Sequence, residues 1–163
     1  MCKNLKPHYH FHKVTQIPFS DFQNNGYKFA LLDLDNTIAP DHVVEPTEYT
    51  YEVIKLLQSN GFTCCLVSNA KSMRSMRIAE KLGVQCVPFA AKPSPKGILS
   101  ALSLLNADKE ATLMIGDQLF TDIVAGNRAG VTTIWVDPYN KKEVLYVKIK
   151  RPFERMMGKI MRF

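Results

Sequence analysis

Leu31-Leu32-Asp33-Leu34-Asp35-Asn36-Thr37-Ile38 decides how this chain is read, because two carboxylates one residue apart stand at the abrupt end of an apolar run. Tyr27 to Leu34 has the aromatic and aliphatic content of a buried strand, and Asn36, Pro40 and Asp41 mark the loop that follows. If extended geometry persists through both acids, side-chain alternation points Asp33 and Asp35 the same way. Two anions that close raise each other's pKa unless a cation lies between them. The pair calls for a metal ion, a shared proton or open solvent.

Working outward, strands and helices alternate. Thr47 to Asn60 reads as a helix ended by Gly61, Phe62 to Val67 as a second buried strand, Ser72 to Leu82 as a helix stopped by Gly83, and Val84 to Val87 as a third strand. A helix from Pro95 to Leu105, a strand from Thr112 to Ile115, a helix from Phe120 to Ala129 and a strand from Thr132 to Val136 complete the series. This pattern predicts an α/β fold, a Rossmann-like three-layer doubly wound parallel sheet. The polar residues of interest all fall just past a strand end: Asp33 and Asp35, then Ser68 and Asn69, then Lys92, then Asp117. Open α/β sheets bind ligands at that edge. For these groups to converge, the first of the five strands must be central, which predicts the order 3-2-1-4-5.

The donor types narrow the ligand. Asp33, Asp35, Asp117 and Asp122 are hard oxygen ligands suited to Mg²⁺. Ser68, Lys92 and the loop after Asp33, with Asn36 and Thr37, offer donors for an anionic oxygen, and Asn69 stands beside Ser68. Carboxylates, magnesium and phosphate donors together describe phosphoryl transfer.

Asp33-Leu34-Asp35-Asn36-Thr37, Ser68-Asn69, Lys92-Pro93 and Gly116-Asp117-Gln118-Leu119-Phe120-Thr121-Asp122 resemble the four ordered motifs of the haloacid dehalogenase superfamily of phosphatases. The stretch from Gly116 to Gly130 and the basic C-terminus look like its YqeG subgroup, related to phosphatidylglycerophosphate phosphatases. The resemblance implies that Asp33 is the nucleophile, forming an aspartyl-phosphate, and that Asp35 is the acid and base. It implies Mg²⁺ on Asp33, the Asp35 carbonyl and Asp117, with Ser68 and Lys92 holding the transferring group and Asp122 on a metal water or on Lys92. Ala70 departs from the subgroup, where a second asparagine is expected. The rival reading is a non-catalytic binding module, whose mark would be a lost acid of the dyad; none is lost.

At 163 residues and 46% hydrophobic content the chain suits one domain: an N-terminal arm over 1–26, a catalytic core over 27–138 and a tail over 139–163. Cys2, Cys64, Cys65 and Cys86 show no metal-ligand spacing, which reads as a reducing compartment. With no long apolar run and no signal-peptide pattern, the expectation is a soluble, cytoplasmic protein. The whole formal charge of +6 resides in 141–163, which carry eight Lys or Arg against two Glu. Within that tail Phe153, Met156, Met157, Ile160 and Met161 form one helical face. It is read first as packing on the protein's own sheet or on a second copy in a homo-oligomer, and second as a contact with an anionic membrane. No stacking aromatics interleave with its charges, so no nucleic acid is expected.

His8, His10 and His12 alternate in the arm, and with no further Cys or His nearby to complete a metal shell they read as part of an arm lying on the domain. Finally, the motif spacings leave no room for an inserted cap. An open site of that kind suits a bulky phosphate ester, with phosphatidylglycerophosphate the leading substrate.

Overall fold

The computed structural model describes residues 2–70 and 73–139. Six strands form one all-parallel sheet: β1 (Tyr9–Phe11), β2 (Phe29–Leu32), β3 (Thr63–Val67), β4 (Gln85–Val87), β5 (Thr112–Gly116) and β6 (Thr132–Val136), in the order β1-β6-β5-β2-β3-β4. The five strands read from the sequence take the predicted order, with β2 central. The difference is β1, which lies in the expected N-terminal arm and pairs in parallel with β6 as an edge strand. Three residues are too short to carry a periodic signal, and the pairing joins segments 125 residues apart.

Side-chain alternation sorts the sheet into two faces. Ala30, Leu32, Cys64, Leu66, Leu113, Ile115, Ile134 and Val136 enter one buried core, while Leu31, Cys65, Val67 and Met114 enter the other. Helices α1 (Phe19–Asn24), α2 (Glu48–Ser59) and α3 (Arg74–Leu82) cover the first face through residues such as Phe22, Leu57 and Ile78. Helices α4 (Lys96–Leu105) and α5 (Val124–Ala129) cover the second through Ile98, Ala101 and Ala125. A sheet buried on both faces is why the central strands are nearly continuous apolar runs. Cys64 and Cys65 face opposite layers, and burial pushes both thiols up to about 12, so they act as small apolar residues.

Helix α2 starts where Thr47 accepts a bond from the Thr50 amide (3.2 Å) and the Thr50 hydroxyl accepts one from the Thr47 amide (3.1 Å). This reciprocal cap satisfies two otherwise orphaned donors. The helix expected over Phe120 to Ala129 begins instead as a wide turn, Leu119–Ile123, in which the Ile123 amide reaches back five residues to the Gln118 carbonyl (3.3 Å). Turns of this kind recur at functional sites, and this one carries Asp122. No inserted domain interrupts the described elements, and none of their helices is long and apolar enough to cross a membrane. The amphipathic helix expected within the tail lies outside the described residues.

Packing between α5 and the sheet depends on a missing side chain. A Cβ on Gly126 would stand 2.5 Å from Thr133 Cγ2 and 3.1 Å from Met114 Cβ. Gly126→Ala is therefore expected to destabilise the fold by about 1–3 kcal/mol through overpacking. Urea unfolding with an unchanged m-value checks it, and wild-type stability would show that α5 can slide.

Candidate active site

Register delivers the functional residues to one level. Leu32 lies opposite Ile115 of β5 and Leu66 of β3, so Asp33, Val67 and Gly116 are the next residues along three adjacent strands. The Asp33 amide still donates to the Ile115 carbonyl (3.0 Å). Beyond it the chain turns: the Ile38 and Ala39 amides both donate to the Leu34 carbonyl, and Asn36 takes φ +60°. The extended geometry considered for Asp33 and Asp35 thus stops at Leu32, because the chain must curl back before entering the segment that leads to α2.

Asp33 is central. Its Oδ1 accepts from Lys92 Nζ at 2.6 Å and its Oδ2 from the Thr37 hydroxyl at 3.0 Å. Lys92 Nζ also pairs with Asp122 Oδ1 at 2.7 Å. Thr37 Oγ1 lies 3.1 Å from Asp117 Oδ1 and accepts from the Asp117 amide. A hydroxyl has one proton, so Thr37 serves one of the two carboxylates at a time. Asp33, Lys92, Asp117 and Asp122 are all buried.

Several contacts fix Lys92. The Asn69 side chain grips its backbone at two points, with Nδ2 donating to the Lys92 carbonyl (2.9 Å) and Oδ1 accepting from the Lys92 amide (2.8 Å). The Ala90 amide donates to the Ser68 carbonyl (2.9 Å), folding the loop over the end of β3. Phe89 and Ala91 adopt left-handed backbone at φ +51° and +54°. Such residues cost of order 1 kcal/mol or more each and persist where surrounding contacts over-determine them. On the other side, a Cβ on Gly116 would meet Asp122 Cβ at 2.4 Å, so only glycine lets Asp122 approach this closely.

Asp35 leaves the cluster. Both its oxygens accept from Arg74 Nη2, at 2.8 and 2.6 Å, while Arg74 Nη1 donates to the Val43 carbonyl (2.8 Å). Its carboxylate therefore stands apart from the metal-ligating set in which it was grouped from sequence. Asn36 and Thr37, expected as phosphate donors, sit in the turn beside Asp33. The Asn36 amide is committed to the Ala39 carbonyl (2.8 Å), and the Thr37 hydroxyl to the carboxylates. Asn69 binds Lys92 rather than standing free, and the Ser68 hydroxyl, buried, accepts from the Ala70 amide (3.1 Å). Arg74 was missed altogether, since one arginine at a helix start carries no signal of its own. His42 and Thr121 were missed too; they line, with Asp33, Asp35, Lys92 and Asp122, an open cleft of about 280 Å³.

The electrostatics define what fits. Burial, aided by Asp122 and Asp117 and opposed by Lys92, holds the Asp33 carboxyl well above its ordinary range. Burial would discharge Lys92, but Asp122 and Asp33 outweigh it and raise its pKa. Three carboxylates and one ammonium leave a formal −2 when all are ionised, and Asp33, Asp117 and Asp122 can bring oxygens within 4.8 Å of one another. An all-oxygen, buried, doubly negative cluster suits a hard divalent cation.

A parallel α/β sheet with this acidic and lysine array at its carboxyl edge defines a class, and the family match agrees with it. Residues 20–130 match the model of the haloacid dehalogenase-like hydrolases, and the chain belongs to that family, among its phosphatases. It is 32% identical over 142 residues to the probable phosphatase YqeG of Bacillus subtilis, covering 87% of this chain and 83% of that one. It is also 37% identical over 106 residues to the pyrophosphatase PpaX of Listeria welshimeri, of whose length it spans about half (48%). Solved structures share the fold. An uncharacterised protein from Listeria monocytogenes aligns with a TM-score of 0.57 at 19% identity over 72% of this chain and 84% of its own. The cobalt-bound deoxy-D-mannose-octulosonate 8-phosphate phosphatase of Haemophilus influenzae aligns at 0.55 and 15% over 82% and 88%.

The raised Asp33 carboxyl has a consequence for stability. The folded protein holds that proton more tightly than the unfolded chain, so this group's contribution is present below its ordinary value of about 3.9 and fades as pH rises through the elevated one. A divalent cation bound at this cluster would compete with the same proton. The expected outcome is a Mg²⁺-induced rise in melting temperature that grows from mildly acidic to neutral pH; a rise that shrinks over that range would contradict it.

Proposed function

We propose that this phosphatase is a Mg²⁺-dependent phosphomonoesterase working through an aspartyl-phosphate on Asp33. The observation that carries the reading is the Lys92 ammonium held between Asp33 and Asp122 at the floor of an open cleft. Asp33, Asp117 and the main-chain carbonyl of Asp35 would hold the ion, whose positive charge would offset the repulsion between an attacking carboxylate and a phosphate.

The remaining work falls to side chains. Lys92 and Thr37 keep Asp33 aimed and favour its ionised form, while Asn69 and Asp122 keep Lys92 from following the substrate. An oxygen of Asp33 attacks phosphorus as the ester P–O bond breaks, and Asp35 gives its proton to the departing oxygen. Asp35 then takes a proton from the water that attacks phosphorus, which releases phosphate and frees Asp33. Arg74, donating to both Asp35 oxygens, holds that carboxylate beside the cleft. It acts as the positioning partner of the acid. Lys92 and the Ser68 hydroxyl would hold the transferring group.

No inserted domain covers the cleft in the described residues, and the basic segment 141–163 would favour an anionic surface. Together with the likeness to YqeG, these features support a bulky ester, and phosphatidylglycerophosphate is the substrate proposed. A panel of phospholipid, nucleotide and sugar phosphates decides that point.

For the mechanism, Asp33→Asn should lower Mg²⁺-dependent phosphate release from an aryl phosphate at least 10³-fold, and Asp35→Asn by about 10²–10⁴-fold, with the fold retained. Substantial turnover by Asp33→Asn would rule out Asp33 as nucleophile.

A further inference from the structure

The histidine-bearing strand β1 brings a second set of ligands together, far from the acidic cluster in donor chemistry. His10 in β1 and His12 just past its end bring their rings together, with centroids 5.6 Å apart. Register sets His10 beside Trp135 and Phe11 beside Val136, and the Asp137 amide continues the ladder by donating to the Phe11 carbonyl (3.2 Å). Asp137 therefore arrives level with His12 on the neighbouring strand. His10 Nε2 lies 3.0 Å from Asp137 Oδ1, and His12 Nδ1 lies 2.8 Å from Asp137 Oδ2.

We infer that His10, His12 and Asp137 form a binding site for a transition-metal dication of the zinc type, separate from the catalytic cluster. One ring nitrogen from each histidine and one carboxylate oxygen can all lie within 4.8 Å of one another, a spacing that three ligands of one ion require. Two imidazole nitrogens and one oxygen favour Zn²⁺, Co²⁺ or Ni²⁺ over Mg²⁺, the reverse of the all-oxygen set at Asp33. Asp137 supplies the anion. Burial raises its pKa, but bonds from His12 and His10 outweigh this and hold the carboxyl below its ordinary range. The only ion-pair partners found for it among the described residues are these two rings.

The first ligand is already oriented. His10 is stacked on Trp135 at 4.5 Å between centroids, and its side chain is only 20% exposed. His12 is 78% exposed, so an ion can enter from solvent and keep water in its open positions. His8, the third histidine of the series, is occupied elsewhere: its Nδ1 accepts from the Thr133 amide (3.0 Å). The chain's fourth histidine, His42, lies at the catalytic cleft, so no other histidine competes at this edge. A bound ion would join the end of β6 to the N-terminal strand, adding a link to the three residue pairs of that edge ladder. It would also act one residue away from the catalytic centre, since the Trp135 indole under His10 donates to the Asp117 carbonyl at 2.9 Å.

The test uses the full chain without a polyhistidine tag, titrated calorimetrically with Zn²⁺ under a large excess of Mg²⁺. Asp117→Asn, which impairs the catalytic cluster, should still bind one equivalent, and Zn²⁺ should raise its melting temperature. In the Asp117→Asn background, His12→Ala should weaken that binding at least tenfold and abolish the rise; His12 is exposed, so its removal leaves the core intact. Equal Zn²⁺ affinity with and without His12, or loss of the equivalent in Asp117→Asn alone, would overturn the assignment.

Discussion

The rest of this structure is arranged around one buried ammonium, that of Lys92 between Asp33 and Asp122. Ions taken out of water cost several kcal/mol each, and stripping one partner from such a group costs about 3–5 kcal/mol. The surrounding architecture follows from keeping all three together. Asn69 clamps the lysine backbone, two left-handed residues bend its loop, and Gly97 lets α4 lie against Ala90 in that loop, where a Cβ would meet Ala90 at 2.5 Å. Gly116 makes the matching space for Asp122. A lysine held this rigidly needs no reorganisation when charge moves in the cleft, which is how fixed dipoles and charges lower barriers.

The two carboxylates one residue apart, Asp33 and Asp35, are reconciled by separation. Asp33 turns inward to Lys92 and Thr37, and Asp35 turns to Arg74. Each acquires its own cation, and the short turn after Leu32 makes that division possible. Asp33 is left in a cluster of net negative charge that invites a divalent ion, while Asp35 stays more exposed beside the cleft. One segment thus presents two carboxylates in two electrostatic settings, which is the condition for giving them different chemical tasks.

The N-terminal segment has a similar double character. Its aromatic side chains serve the core side of β1, where Phe11 packs on the main cluster and Tyr9 meets Phe22 edge to face. Its histidines serve the other side, against Thr133, Trp135 and Asp137. Alternation along three residues is enough to divide packing from polar contact, and Trp135 ties that outer edge to Asp117.

The sequence by itself determined the sheet, its five-strand order with β2 in the middle, and the family. Apolar runs, glycine stops and polar residues at successive strand ends are local signals, and a parallel sheet converts them into one site by register alone. It also determined that Asp33, Lys92, Asp117 and Asp122 belong together. Only the tertiary structure decided which cation each acid meets, because Arg74 is 39 residues from Asp35 and Asn69 is 23 from Lys92. The same holds for β1 and for Asp137 beside His10 and His12. A three-residue strand has too little period to be read, and its partner lies at the far end of the fold. These partners lie away from the strand ends that register brings level, so their meeting depends on how helices and loops pack on the sheet.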